Sequence, residues 1–267
     1  MPYLNRGASR LYYELHGVEA PVVATQAVKP AKPVWVLLHG VGGNHASWFH
    51  QIAAWRTQVG LLVVDARGFG NSTDAEAAGR GAFVDDLHAL LNALQLDRVV
   101  LIAQSMGGGT AIHFAIRHPA RVSALVLADT MVGLQLPPDM AARMAPVVAR
   151  ANALTQLERV LGPTFQARAP AQSYLYTALA SFNETNVRSL TGEQAQATPA
   201  ELGALGLPIL FVAGNEDVLF PPQEIAALAA ATTGAEFLEI QDAGHSAYFE
   251  QPDVFNHAVK AWLDRVT

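Results

Sequence analysis

Three side chains of this sequence have the types that acyl transfer requires: a serine nucleophile, a histidine base and a carboxylate. Ser105, Asp217 and His245 occur in that order along the chain, and each follows a short apolar run. Serine is a weak nucleophile until a base takes its proton, and the base needs a carboxylate that fixes its tautomer and stabilises the imidazolium. The residue types therefore predict catalysis by Ser105, with His245 as base and Asp217 as acid.

The sequence around Ser105 predicts an abrupt turn from a buried strand into a helix. Residues 99–103 are apolar, and apolar residues recur at helical spacing after the glycines at 107–109. Such a turn lifts the serine hydroxyl above the sheet and presents backbone N–H groups to a substrate. Gly107 fits the Gly-x-Ser-x-Gly pattern of this turn, whereas Ala103 departs from it. An inert serine in an ordinary strand-loop-helix is the alternative.

Position along the chain selects the base and the acid. Of the nine histidines, His245 alone combines a predicted strand end, a preceding glycine and a place after the acid. Asp217 stands three residues after Gly214, in the loop that follows an apolar run. Glu216 in the same loop and Asp129, after an earlier apolar run, are the alternative acids.

The elements that must position these residues alternate between strand and helix. Apolar runs predict strands at 34–38, 61–64, 99–103, 124–128, 208–213 and 237–240. Helical spacing predicts helices between them, and a first strand at 10–15 is predicted with residues 22–24 as its hairpin partner. The alternation predicts an α/β fold with a mostly parallel central sheet and helices on both faces.

The alternation breaks between residues 131 and 205, where prolines and helical patterns replace strands. We predict an α/β core made of residues 1–130 and 206–267, with a helical cap at 131–205 inserted after the sixth strand. The cap's Met, Phe and Tyr side chains suit a wall for an apolar ligand, although packing of the insertion on itself is the alternative. The candidate wall residues are Met140, Met144, Phe165, Tyr174, Tyr176 and Phe182, with Trp48 from below.

The composition favours a globular protein that acts on a small molecule. The chain has 267 residues, and its 17 Lys and Arg against 23 Asp and Glu form no basic cluster, which argues against nucleic acid. The lack of cysteine excludes disulfides and thiolate metal sites, and we expect no metal. No apolar stretch reaches spanning length, so we expect no membrane partner and a cytoplasmic location by default. A homodimer is left open.

Taken together, the motifs resemble those of the α/β-hydrolase superfamily, in the branch with a helical cap, over essentially the whole chain. The matching elements are His39-Gly40-x-Gly42-Gly43, Asp65-x-Arg67-Gly68-x-Gly70-x-Ser72, Ser105-x-Gly107-Gly108, Gly214-x-x-Asp217 and Gly244-His245 followed by Glu250-x-Pro252. The resemblance implies an oxyanion hole formed by the backbone N–H groups of Val41 and Met106, with His39 supporting the loop. Ser105, where other branches have aspartate, argues against haloalkane dehalogenase and epoxide hydrolase chemistry.

The sequence thus predicts a serine hydrolase that needs no cofactor and cleaves a small, largely apolar carboxylic ester or lactone through an acyl-enzyme. The chain is also similar to 3-oxoadipate enol-lactonases and to C–C hydrolases of aromatic ring-cleavage products. C–C hydrolysis, a cofactor-free perhydrolase reaction and a ligand-binding receptor of the same fold are the alternatives. The residues predicted to line the substrate pocket are His39, Trp48, Gln104, Met140 and Met144.

Overall fold

An eight-stranded sheet organises the part of the chain that the structure, a computed structural model, describes: residues 2–18 and 33–267. Its strands are β1 (Tyr3–Arg6), β2 (Ser9–His16), β3 (Val34–Leu38), β4 (Gly60–Val64), β5 (Val99–Gln104), β6 (Val122–Ala128), β7 (Ile209–Gly214) and β8 (Ala235–Ile240). They lie side by side in the order β1-β2-β4-β3-β5-β6-β7-β8. Strand β2 is antiparallel to β1 and β4, and the remaining neighbours are parallel. The predicted α/β class is confirmed.

The first strand differs from its prediction in its partner. The strand predicted at 10–15 is β2, and β1 pairs with it as an antiparallel hairpin. Strand β1 has no buried residue, so its sequence carries no apolar run that would have revealed it. The hairpin partner predicted at 22–24 lies outside the described residues.

Helices connect the strands and cover the sheet. They are α1 (Phe49–Trp55), α2 (Arg80–Ala93), α3 (Met106–Arg117), α4 (Pro138–Asn152), α5 (Gln156–Val160), α6 (Pro163–Arg168), α7 (Pro170–Ala180), α8 (Pro199–Gly203), α9 (Pro222–Ala231), α10 (Ala247–Glu250) and α11 (Pro252–Val266). Single 3₁₀ turns at His45–Trp48 and Pro119–Arg121 precede α1 and β6. Helices α4 to α8 belong to the inserted segment, residues 131–205, between β6 and β7. Across residues 2–18 and 33–267, no helix is long and apolar enough to cross a membrane.

Both faces of the central strands are buried, which explains why these strands are apolar without alternation. In β5, Leu101 and Ala103 pack into one hydrophobic core, whereas Val100 and Ile102 pack into a second core. Successive side chains of a strand point to opposite faces, so the two cores lie on opposite sides of the sheet. Strand β5 is therefore held rigidly up to the residue before Ser105.

The turn between β5 and α3 needs small residues beside Ser105. The backbone of Ser105 has a φ of 49°, in the left-handed region that residues other than glycine rarely adopt. A Cβ atom on Gly107 would lie 2.4 Å from the carbonyl oxygen of Leu38, a backbone atom with no freedom to move aside. The methyl group of Ala103 is fully buried in the core, so this departure from the glycine pattern is accommodated.

We therefore expect Gly107→Ala to lower the free energy of unfolding by about 1–3 kcal/mol, the usual result of overpacking. Gly81→Ala is the matched control, because a Cβ at Gly81 in α2 would meet no atom within 4 Å. Alanine is favoured over glycine in a helix, so this control should gain up to about 1 kcal/mol. Urea denaturation measures both changes, and equal stability of the two variants would contradict the steric argument.

Candidate active site

Ser105, His245 and Asp217 form one hydrogen-bonded chain above the sheet. Ser105 directly follows β5, Asp217 lies in the loop after β7, and His245 lies in the loop after β8. Nε2 of His245 is 2.9 Å from Oγ of Ser105, and its Nδ1 is 2.8 Å from Oδ2 of Asp217. Such an arrangement keeps a proton on Nδ1 and leaves Nε2 free to accept the serine proton.

Backbone groups hold the carboxylate and the histidine of this chain in place. Oδ1 of Asp217 accepts hydrogen bonds from the backbone N–H groups of Leu219, at 2.7 Å, and Phe220, at 3.0 Å. The side-chain amide of Gln104 donates to the carbonyl oxygen of His245 over 2.7 Å. Gln104 is the last residue of β5, so this bond ties the histidine loop to the strand that carries Ser105.

The surroundings of His245 make it a stronger base than an ordinary histidine. Burial acts to lower the pKa of His245, but the charge and hydrogen bond of Asp217 outweigh it and raise that pKa above its usual value. The buried carboxyl groups of Asp129 and Glu250 act in the same direction. The site therefore favours the protonated form of this imidazole.

Two backbone N–H groups beside Ser105 are free to bind an oxyanion. Val41, in the loop after β3, and Met106, the first residue of α3, border the same cavity as Ser105. Within residues 2–18 and 33–267, neither N–H group has a protein acceptor. The first N–H groups of a helix lack intrahelical partners and favour negative charge. These two donors are the ones that the resemblance implies.

His39 supports the loop that carries Val41 and lies beneath it. Its Nε2 accepts a hydrogen bond from the N–H of Ala66 at 3.0 Å, which assigns the ring proton to Nδ1. That Nδ1 donates to the carbonyl oxygen of Gly40 at 2.7 Å. Burial lowers the pKa of His39 and so favours this neutral form. His39 thus joins the loops after β3 and β4.

The two alternative acids, Asp129 and Glu216, accept hydrogen bonds from groups other than His245. Oδ1 of Asp129 accepts from the N–H of Gly214 at 2.8 Å, and Oδ2 accepts from the N–H of Ala247 at 3.0 Å. Burial, together with the negative charge of Asp217, raises the pKa of Asp129 to about 8. Glu216 accepts from the N–H and the hydroxyl of Thr164 in the inserted segment. Both acids therefore join loops around the site.

Glu250 joins the histidine loop to the inserted segment. Its Oε2 accepts from the N–H groups of Gly162, at 2.7 Å, and Gly244, at 2.9 Å, and its Oε1 accepts from Ser246 at 3.0 Å. Burial raises the pKa of Glu250 to about 7, although the three N–H donors act to lower it. The Glu-x-Pro motif marked this residue in the sequence without revealing its partners.

A cavity of about 720 Å³ opens beside Ser105, between the sheet loops and the inserted segment. This volume suits a small organic molecule. One part of the lining is apolar, formed by Val132, Leu154, Val160, Leu219 and Phe220. A second part is uncharged and polar, formed by Asn152, Thr155, Gln156, Asn183, Thr185 and Asn186. Three cationic side chains, Arg80, Arg159 and Arg188, also line the cavity.

Four of the five predicted pocket residues do not line this cavity, and only Gln104 does. Met140 and Met144 face inward from α4 and pack into the core beside the sheet. Trp48 is fully buried, with its ring 4.3 Å from that of Tyr248. His39 lies below the loop, as described above. These four predictions were wrong. For the two methionines the reason is that helical periodicity marks the buried side of a helix without telling a core from a cavity.

The wider set of candidate wall residues divides in a similar way. Tyr176 lines the cavity, whereas Phe165 is buried in the core. Tyr174 and Phe182 are 76% and 70% exposed at the surface. The sequence reasoning also missed the three arginines and the polar amides of the lining, because no periodicity distinguishes them from ordinary surface residues.

A parallel sheet with a serine at a strand-to-helix turn, and an aspartate and a histidine after later strands, defines a class of hydrolases. The chain belongs to this alpha/beta hydrolase fold family, whose match spans residues 33–252. It is an enzyme, a hydrolase related to esterases and enol-lactonases.

Two relatives of the chain are named as a carboxylesterase and an enol-lactonase. A carboxylesterase of Bacillus subtilis is 26% identical over 239 residues, covering 86% of this chain and 80% of its own length. A 3-oxoadipate enol-lactonase of Acinetobacter baylyi is 26% identical over 251 residues, covering 88% and 90%. Among solved structures, a thermophilic esterase of Thermogutta terrifontis matches with a TM-score of 0.77 at 26% identity, covering 97% and 94%.

We expect Glu250→Gln to lower the free energy of unfolding at pH 4 by about 1–3 kcal/mol, because an amide nitrogen would replace one acceptor and leave a backbone N–H unpaired. Glu193→Gln, at an exposed position, is the matched control and should change it by less than about 0.5 kcal/mol. The raised pKa of Glu250 adds a stability contribution that is full below about pH 4 and is lost as pH rises through about 7. The Gln variant should lack that decline. Urea denaturation from pH 4 to 8 measures both effects, and a variant as stable as the control would contradict them.

Proposed function

We propose that this protein is a serine hydrolase that cleaves small carboxylic esters or lactones through an acyl-enzyme. The observation that carries the proposal is the hydrogen-bonded chain from Ser105 through His245 to Asp217, with distances of 2.9 and 2.8 Å. The names of the related carboxylesterase and enol-lactonase support the same reaction class. The cavity beside Ser105 offers space for a small acyl group and its leaving group.

In the first half of the reaction, Oγ of Ser105 attacks the carbonyl carbon while Nε2 of His245 takes the hydroxyl proton. The carbonyl oxygen becomes an oxyanion and binds the N–H groups of Val41 and Met106. As the C–O bond to the leaving group breaks, His245 gives its proton to the departing oxygen. An ester then releases an alcohol, whereas a lactone keeps the new hydroxyl group on the same acyl chain.

In the second half, water replaces the serine as the nucleophile. His245 takes a proton from the water, whose oxygen attacks the acyl carbon, and the same two N–H groups bind the second oxyanion. When the bond to Ser105 Oγ breaks, His245 returns its proton to that oxygen. A carboxylic acid leaves and the enzyme regains its starting state. Apolar parts of the substrate would lie against side chains such as Val160, Leu219 and Phe220.

We expect Ser105→Ala to lower kcat for p-nitrophenyl esters by a factor on the order of 10⁶, because it removes the nucleophile. The variant should also lose labelling by a fluorophosphonate probe. Ser181→Ala, at an exposed position in the inserted segment, should keep both labelling and activity. Circular dichroism checks that the fold is intact, and full labelling of the Ser105 variant would refute the mechanism.

We expect Asp217→Asn to lower kcat about 10⁴-fold, the loss that an analogous change causes in a serine protease. Removing the carboxylate charge also removes the main cause that raises the pKa of His245, so the acid limb of kcat/KM should move to lower pH. In the unmodified enzyme this limb should lie above about pH 6.5, the ordinary histidine value. Glu216→Gln and Asp129→Asn should lose far less activity. If kcat falls about 10⁴-fold in Asp129→Asn instead, the assignment of Asp217 as the acid is wrong.

A further inference from the structure

The charges around the cavity do not match those of the whole chain. The protein has a formal net charge of −6. The described residues that line the cavity nevertheless include Arg80, Arg159 and Arg188 and no aspartate or glutamate. A cleft lined by one sign of charge concentrates ligands of the opposite sign. The cavity is therefore suited to an anion.

These three arginines also differ from most others in the described part of the chain. Arg67 pairs with Asp86, Arg143 with Glu224, and Arg265 with Glu236. By contrast, the guanidinium groups of the three cavity arginines have no hydrogen bond or ion pair within residues 2–18 and 33–267. Their donors are free for a molecule that enters the cavity.

Part of the charged group of Arg80 is buried. Its Nε is inaccessible to solvent and donates no hydrogen bond to any described residue. Burial lowers the pKa of Arg80, which reflects the loss of solvation around the charge. A buried donor without a partner is unfavourable and is rare in folded proteins. An anion in the cavity would instead bind the terminal N–H groups of the same guanidinium, which no described residue accepts, and would stabilise a charge that has lost part of its solvation.

The backbone holds Arg80 close to a second of these arginines. Arg80 is the first residue of α2, and its backbone N–H donates to the carbonyl oxygen of Thr191 at 3.0 Å. Thr191 stands three residues after Arg188, and three residues span at most about 11 Å, so the backbone of Arg188 lies near that of Arg80. Arg159 comes from α5 of the inserted segment.

On the basis of the proposed ester or lactone hydrolysis, we propose that this enzyme selects substrates that carry a carboxylate away from the scissile bond, with Arg80 as its principal partner. A guanidinium presents parallel N–H donors that match the two oxygens of a carboxylate. The apolar side chains of the wall would then bind the methylene chain between the carboxylate and the ester. This refines the largely apolar substrate that the sequence predicts.

The test compares two esters that differ only at the end remote from the scissile bond: monomethyl adipate, with a carboxylate, and methyl hexanoate, with a methyl group. The ratio of their kcat/KM values, charged over neutral, is the readout. We expect the unmodified enzyme to favour the charged ester about 10- to 100-fold, the range for one hydrogen-bonded charge. A series of monomethyl esters from succinate to suberate locates the best spacing.

Variants then assign the preference to its residue. We expect Arg80→Gln to lower the ratio about 10- to 100-fold. Arg80→Lys should lower it less, because lysine keeps the positive charge but lacks the parallel N–H donors of a guanidinium. Arg150→Gln is the matched control, since Arg150 is an exposed arginine of α4 that does not border the cavity. The control should keep the ratio within about twofold, as expected for a screened surface charge.

A measurement without variants covers the case in which Arg80→Gln fails to fold. Adipate should inhibit the hydrolysis of methyl hexanoate competitively, and at lower concentration than the neutral adipamide. A ratio near one across the whole series, or equal inhibition by the two compounds, would overturn the proposal while the hydrolysis of methyl hexanoate leaves the proposed function standing. If neither ester is cleaved and Ser105 resists labelling, the proposed function fails and the carboxylate preference fails with it.

Discussion

The left-handed backbone at Ser105 is the constraint on which the rest of the site depends. For a residue other than glycine, this backbone conformation costs about 1–3 kcal/mol, so the surrounding structure must stabilise it. The N–H of Ser105 donates to Ala128 at 3.0 Å, and the hydroxyl of Thr130 donates to the carbonyl oxygen of Ser105 at 2.7 Å. Ala128 is the last residue of β6, which pairs with β5, and Thr130 follows two residues later. The sheet thus stabilises the conformation that presents the serine hydroxyl.

Buried carboxylates perform a structural and an electrostatic task at the same place. Asp129, Asp217 and Glu250 all accept backbone N–H bonds from the loops after β7 and β8, and Glu250 adds one from the inserted segment. Burying three acids so close together is unfavourable unless such donors compensate for the lost water. In their ionised forms, all three raise the pKa of His245. The same groups that hold the loops therefore strengthen the base.

The sequence allowed the sheet and the Ser105–His245–Asp217 grouping to be predicted, but not the cavity. Buried parallel strands need apolar residues on both faces, and polar residues at their ends stand out against these runs. The cavity lining lacks such a contrast: Arg80 looks like any helix-start arginine in the sequence. Met144 fits an apolar stripe and lies in the core. Which side chains border a void depends on how the inserted segment packs, and that is a property of tertiary contacts.

Catalysis and the recognition of an anion make opposite electrostatic demands on one cavity. Cations close to His245 would lower its pKa and weaken the base. The charges that raise that pKa belong to the carboxyl groups of Asp217, Asp129 and Glu250, whereas Arg80 and Arg159 come from α2 and α5. Under the function and substrate that we propose, the acids that support the histidine and the arginines that line the cavity would let one site keep a strong base and still attract a negatively charged substrate. A substrate carboxylate bound at the wall would likewise be kept apart from the acids that surround the base.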